Sequence, residues 1–553
     1  MMLPPKTGPG MVTMDRVLEM ADLVDRHQVA GLSEQWRLED GGSQTGRPGT
    51  VSNRAVMILF HLLVNEYSAF SDTAAADMVM NRMPAGVLEY LDLNKPGTKQ
   101  VWIARIRRAR ERCFLPFMPY RGERRRRLPS DEALAAYDAA KKDPDYRKRL
   151  DRADVVSDAI VMSSVDYLPR DILEQWSGTV AIDGTSIPVS SNDAGTRKDS
   201  TSNPDIGAAW WAREGNHRAD LPGRLDNRRS TDKYNFGYEA DIMVMSVGDP
   251  DNDPRAPFIC LGARLKRPGH RTGLLAASMV SSAIGAGIPI STLVTDQGIA
   301  PMAAAKNLQD PLYDLGVDIV CDYPKGHRGT RGGHQGLIWV EGHPYCSAMP
   351  KGLIDATIDY NDRRISEAVW LKRIGERERY LAKPNGKPRA DGSIRYLHPT
   401  DHGRPVCDPH RKNAPAFCQQ RTLLVPREHL ALKYKQKYRY KTATWERVYR
   451  TNRSTNEGFN GYAEDPTREA IQISGARRIR GYAAQYVALA MKLAAANFRV
   501  ITEFISRTPK QSAAIERKRV KRRAGSKTAR NYRDQMPSAC SPTLTAPAVP
   551  LRT

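Results

Sequence analysis

Apolar residues recur at three- and four-residue spacing from Asn53, where Ala55, Ile58, Leu59, Leu62 and Leu63 share one face, and this predicts a helix. A Ser/Asp-flanked stretch predicts a second helix over 72–83, and 84–91 predicts a third. Short helices in succession define an all-α module over 53–175. Ahead of it, 1–52 is rich in Gly, Pro and Thr apart from an amphipathic stretch at 17–29, and Pro48-Gly49-Thr50 closes it like a linker. It reads as a leader.

The period then changes to short β-branched runs between turn residues. Segment 179–183 predicts a strand, 186–190 its hairpin partner, 238–247 a longer strand, 291–295 a buried strand and 317–322 another, with a helix over 272–284. Hairpin-paired strands joined through a helix to further strands indicate a mixed sheet in an α/β domain over 176–325. Residues 326–440 break the rhythm with Gly, Pro, His and Arg and with brief strand-like pieces at 337–340 and 422–426, as an insertion does. Helical periodicity returns at Trp445 and, past a break near Pro466, runs to Phe504, so 441–506 closes the domain. The segment 507–553 joins a basic run (Arg517, Lys518, Arg519, Lys521, Arg522, Arg523) to a Pro/Ala/Thr-rich end, the composition of a disordered basic tail.

Composition narrows the function. The chain has 553 residues, 85 Lys+Arg against 62 Asp+Glu and a net charge of +23. That excess points to a polyanionic partner, most simply nucleic acid. A basic helical stretch carrying Arg105, Arg107, Arg108, Arg110 and Arg112, and a cluster at 124–127, are candidate DNA contacts. The most apolar stretch, 483–500, is interrupted by Gln485, Lys492 and Arg499, so no membrane span is expected. The start lacks the order of a signal peptide, and seven Cys without close pairing fit a reducing cytoplasm.

Three carboxylates stand out. Asp183 ends the apolar run of Val180-Ala-Ile-Asp-Gly-Thr, and Asp296 follows Thr292-Leu-Val-Thr directly, before what reads as a helix. Two carboxylates ending strands of one sheet would share the edge where α/β sites gather. Each also has a plainer reading, an Asp-Gly hairpin turn at 183–184 and an Asx turn or helix cap at 296. Tyr449, Arg453, Glu457, Gly461 and Glu464 fall on one helical face, where Arg453 and Glu457 could equally be a surface ion pair.

Taken in order, Asp183 in VAIDGT, the strand from Asn235-Phe-Gly-Tyr, the Pro-Gly-His270 segment, Asp296 in LVTDQG, Arg453-x3-Glu457, and Arg478-Ile-Arg-Gly-Tyr-Ala-Ala-Gln before an Ala/Leu helix resemble the DDE transposases of bacterial insertion sequences. The resemblance runs from about residue 55 to 502 and is closest to members with an insertion before the final Glu. It implies an RNase H-like catalytic domain with an inserted subdomain, behind an all-α DNA-binding module. Asp183, Asp296 and Glu457 would then be the catalytic triad and its metal ligands, with Mg²⁺ as cofactor and Mn²⁺ as a substitute. Tyr449, Arg453, Asn460, Arg478, Arg105 and Arg108 are the candidate DNA contacts. The implied partners are double-stranded DNA at the element ends and at the target, with at least a dimer on DNA, and the implied location is the cytoplasm, at the nucleoid. Two positions depart from the family signature: three residues separate Tyr449 from Arg453 where the family has two, and Glu464 stands where it has Lys. A non-catalytic DNA-binding regulator or inactive remnant, and a nuclease of the same fold without strand transfer, share these residues.

Other motifs weigh less. Cys346, Cys407, His410 and Cys418 offer a Cys3His zinc set with an incomplete pairing, and scattered thiols are the preferred reading. The Gly- and Arg-rich stretch 325–334 suits a DNA-contacting loop, and without a Gly-Lys-Ser/Thr ending it gives no support to a nucleotide cofactor. Cys321 reads as core.

Overall fold

A computed structural model describes residues 10–43, 49–120, 130–190, 205–213, 233–253, 255–269 and 272–507. The clusters at 124–127 and 517–523, and His270, lie outside the described residues.

The architecture is mixed α/β. A six-stranded mixed sheet contains β1 (Thr179–Pro188), β2 (Ala209–Arg213), β3 (Lys233–Ser246), β4 (Cys260–Lys266), β5 (Thr292–Thr295) and β6 (Asp318–Cys321). Strand β3 is antiparallel to β1, and β2 and β4 pair antiparallel with successive parts of β3. On the other side β5 runs parallel to β1, and β6 parallel to β5.

The expected hairpin at Asp183-Gly184 is not there. β1 runs straight through both residues, with Asp183 beside Ile242 and Gly184 beside Asp241. A two-residue turn of that type needs positive φ at both central positions, and neither residue has it. The long ladder with β3 outweighs the local turn signal. Nor does a helix follow Asp296, where the chain makes a run of turns before the helix Gln309–Asp314.

β4 was hidden in the sequence because its buried residues include Arg264 and Lys266. Both are paired: Arg264 donates two hydrogen bonds to Asp158, at 2.6 and 2.8 Å, and Lys266 donates to Asp241 at 2.6 Å. Pairing is what makes such burial tolerable.

The segment read as a leader carries the helices Met14–His27 and Val29–Glu39. Their Val17, Leu23, Val24 and Val29 are buried in one core with Ile58 and Leu62 of the helix Asn53–Tyr67. That core continues onto the sheet through Tyr238, Ile242 and Leu265. At its centre lies the helix Tyr482–Ser506, buried continuously from Tyr482 to Phe498. Asn497 accepts from the Cys260 N–H at 2.7 Å and donates to its carbonyl at 2.8 Å, so one side chain continues the hydrogen bonding of β4. Lys492 donates to the Ser68 carbonyl at 2.6 Å, and Arg499 to that of Asn65 at 2.8 Å, which ties the last helix to the first module. No helix among the described residues is long and apolar enough to cross a membrane.

Residues 326–440 build their own small cores. Thr330–His334, Leu337–Val340 and His343–Cys346 form a meander, and Lys383–Pro384, Ile394–Leu397 and Thr422–Val425 a second sheet. Trp339, Tyr396 and Phe417 are buried between these pieces. The Gly-rich stretch at 325–334 is thus a short 3-10 turn and a paired strand rather than an open loop.

Candidate active site

Register brings the first two carboxylates together. Ile182 of β1 lies beside Thr295 of β5, and Thr295 beside Cys321 of β6. One residue further on, Asp183, Asp296 and Asp322 follow as neighbours across three parallel strands. This edge, outside the carboxyl ends of β5 and β6, is where α/β folds place ligands.

The helix Ala443–Glu464 supplies the third. Thr442 caps its first turn, and Trp445, Val448, Asn452, Asn456, Phe459 and Ala463 form its buried face. Asn456 is the anchor: its amide donates to the carbonyl of Ala181 at 2.9 Å and to that of Ile242 at 3.1 Å. Asn452 donates to the Gly248 carbonyl at 2.8 Å, and Arg447 forms a two-bond pair with Asp249 at 2.7 and 2.8 Å. Fixed in this way, the helix presents Arg453 and Glu457 on its exposed side, where the charges of both are felt at Asp183.

Electrostatics record the crowding. Asp183 is pushed up to about 6, first by burial and then by the charge of Asp296, with Glu457 adding to it. The Gly184 N–H, donating to Asp183 at 2.9 Å, and the Arg453 guanidinium pull the other way without offsetting the rise. Asp296 accepts from the Gly298 N–H at 2.9 Å, and Glu457 from Arg453 Nε at 3.0 Å. These three carboxylates therefore carry more negative charge than their protein partners balance.

The candidate DNA contacts separate by environment. Arg453 is exposed and reaches the Tyr449 hydroxyl at 3.4 Å. The Tyr449 ring is buried, stacked on Trp445 with centroids 4.6 Å apart, so only its hydroxyl faces the site. Asn460 is buried, and its side-chain oxygen lacks a hydrogen-bond partner. Arg478 is exposed, whereas its neighbour Arg477 is fully buried and donates to Gln485 at 3.1 Å and to the Pro188 carbonyl at 2.8 Å. Burial lowers Arg477 to about 10.

On the helix Lys99–Phe114, Arg108 is exposed and Arg105 lies over the Trp102 ring at 4.9 Å. Its other arginines serve the fold. Arg110 forms a buried two-bond pair with Asp72 at 2.9 and 3.0 Å, Arg107 reaches the same carboxylate at 3.5 Å, and Arg112 donates to the Val51 carbonyl at 2.6 Å. Glu464, the departure from the family signature, accepts from Thr185 of β1 at 2.6 Å. That position closes a helix-to-strand bond.

Three groups near the site escaped sequence reasoning. Asp322 ends an apolar strand as Asp183 and Asp296 do, so the same signal would have found it. Where they accept from backbone N–H groups, it has side-chain partners: it accepts from the Tyr440 hydroxyl and from Gln297 at 3.2 Å and is ion-paired with Lys441 at 3.6 Å. Asn456 carried no signal, since only its position under β1 gives it a role. The Asp241–Lys266 pair on the neighbouring strands was equally silent. No family model, no curated protein and no solved structure matches the chain.

Proposed function

We propose that this chain is a DNA transposase of the DDE type, with an RNase H-like catalytic domain, that cuts the ends of a mobile element and joins them to target DNA. The observation that carries the reading is the juxtaposition of Asp183 and Asp296 at the ends of adjacent parallel strand segments, with Glu457 carried on the exposed side of an anchored helix and its charge felt at Asp183. The strand order, an antiparallel meander continued by two parallel strands, agrees with it.

The donor set suits a hard divalent ion. All three groups are carboxylates, and Asp183 is held high first by burial and then by the charges of Asp296 and Glu457, which a dication would offset; Mg²⁺ favours such oxygen ligands, with Mn²⁺ as the alternative. Asp183, Asp296 and Glu457 would hold it. When bound, such ions activate a water or 3′-hydroxyl and stabilise the leaving oxygen of a phosphodiester.

The remaining work falls to the chain's own residues. Arg453, steadied by Glu457 and Tyr449, offers a planar fork to the phosphate oxygens beside the cut. Arg108 and Arg478, exposed on other elements, suit backbone contacts that position the duplex without reading bases.

The test is cleavage of a DNA fragment bearing the gene's natural flanks, with Mg²⁺ or with EDTA, by the wild type and by Asp183→Asn. Metal-dependent cuts at the flank boundaries and joined products are expected from the wild type. The variant should bind the ends without cutting. Equal cutting by both proteins, or binding by both without cutting, would overturn the reading.

A further inference from the structure

The inserted subdomain holds a second cluster of potential ligands, and it is not the one that spacing suggests. Cys346 ends the strand His343–Cys346, and His398 directly follows the strand Ile394–Leu397. Cys407 lies just past the hairpin strand Arg404–Pro405, and Cys418 sits in the short helix Ala416–Gln419. The sulfur atoms and a ring nitrogen of these residues all lie within 4.8 Å of one another. His410, eligible by its spacing from Cys407, is not part of this group; it is exposed, and its backbone N–H bonds Asp408 at 2.9 Å. The fold has selected a histidine on the other side of Cys407.

We propose that Cys346, His398, Cys407 and Cys418 form a structural zinc site that holds the inserted subdomain together. Tetrahedral zinc with bonds of about 2.3 Å to sulfur and about 2.0–2.1 Å to nitrogen separates its ligands by about 3.8 Å between sulfurs and about 3.6 Å from sulfur to nitrogen. Here Cys346 Sγ lies 3.7 Å from Cys418 Sγ and 3.9 Å from Cys407 Sγ, and Cys407 Sγ lies 3.3 Å from His398 Nε2. These three separations match tetrahedral edges to within a few tenths of an ångström, and the other three are no longer than 4.8 Å.

The surroundings fit a metal in other ways. The Ala348 N–H points at Cys346 Sγ at 3.5 Å, a bond that supports a thiolate. Three thiolates around a dication leave one net negative charge, and Arg411 stands 3.9 Å from Cys418 Sγ to offset it. Binding replaces three S–H bonds by three zinc–sulfur bonds, adds one zinc–nitrogen bond and releases three protons to solvent. Cys346, His398 and Cys418 are buried and Cys407 is half-buried, which leaves an entry path without an open coordination position for substrate.

The four ligands come from four separate pieces of chain. Between them they join the meander, the second sheet, the small hairpin and the short helix, around a core no larger than Leu337, Trp339, Tyr396, Phe417, Val425 and their neighbours. Small cores of this kind commonly rely on a metal.

The experiment is metal analysis of the full-length protein grown with zinc, together with cobalt substitution. About one zinc per chain is expected, and the cobalt form should display tetrahedral d–d bands and sulfur-to-cobalt charge transfer. His398→Gln and Cys418→Ser should lose the metal, while His410→Gln and Asp183→Asn should retain it. His398→Cys, which keeps four ligands, should restore a tetrahedral cobalt spectrum if the other variants fold poorly. A wild type that takes up neither zinc nor cobalt would overturn the proposal, and so would metal retained in His398→Gln but lost in His410→Gln. Because Asp183→Asn is read separately, the zinc site stands or falls independently of the proposed catalysis.

Discussion

Two clusters in this molecule gather side chains that suit a metal, and they are built in opposite ways. The carboxylate edge is open: Asp183 and Asp296 stand partly exposed at neighbouring strand positions, Glu457 faces solvent, and their negative charge is left unbalanced. The thiol cluster is closed, with soft ligands converging from four elements and Arg411 beside them. An open cluster retains positions for substrate, and a closed one spends all its ligands on holding structure. Changes at the first should therefore be read in activity and changes at the second in folding.

The sharpest test separates these two readouts. Asp183→Asn should reduce DNA cleavage to background while leaving the thermal midpoint unchanged or raised, because it removes a crowded charge. Stripping the wild type with a thiophilic chelator should instead expose 330–425 to limited proteolysis, mapped by mass spectrometry, while β1–β6 stay protected. Loss of protection across the whole chain would break the contrast.

Next in size is Lys266→Met. It leaves Asp241 buried without its ion partner on the strand beside Gly184, and should cost about 3–5 kcal/mol in urea unfolding. Asn456→Ala removes two buried hydrogen bonds to β1 and β3 and should cost about 2 kcal/mol. It should also slow cleavage although Glu457 is intact, because the helix that aims Glu457 is loosened.

A pH series adds a carboxylate outside both clusters. Asp154 is lifted to about 6, chiefly by burial, although Tyr486 donates to it at 2.8 Å and Arg264 lies nearby. Its folded state holds the proton more tightly than the unfolded chain, so stability falls as pH rises from about 4 to about 6, by roughly 2–3 kcal/mol. Asp154→Asn should flatten that slope in urea titrations. The smallest effect expected is that of Arg108→Ala, which should lower the salt dependence of DNA binding by a slope of about 0.9 without changing sequence preference.

The open cluster was the more legible of the two because strand-end carboxylates leave a local mark. Asp183 and Asp296 each follow an apolar run, and Glu457 stands in a helical pattern with Arg453. The Asp-Gly pair misled for an equally local reason, since no short-range rule contains the β3 ladder that holds it extended. The closed cluster depends on contacts between distant pieces of chain. Spacing favoured His410, three residues from Cys407, while the fold uses His398, nine residues away and placed by the strand before it. β4 escaped because Arg264 and Lys266 look exposed until Asp158 and Asp241 are brought to them. Residues 14–39 read as a leader because their packing partners begin only at Asn53.

The buried helix Tyr482–Ser506 also sets a timetable. Its apolar surface fills the space between the first helical module and the sheet, yet it follows the helix Asn53–Tyr67 by 415 residues (482 − 67). At ordinary synthesis rates the helix Asn53–Tyr67 waits roughly 20–80 s for the partner that covers it. Throughout that interval the nascent chain displays the face that the helix Tyr482–Ser506 will later close, with Lys492 on the Ser68 carbonyl. A chain that stops anywhere before Tyr482 thus has a first module with no centre to pack around, material for chaperones and proteases rather than a smaller working protein.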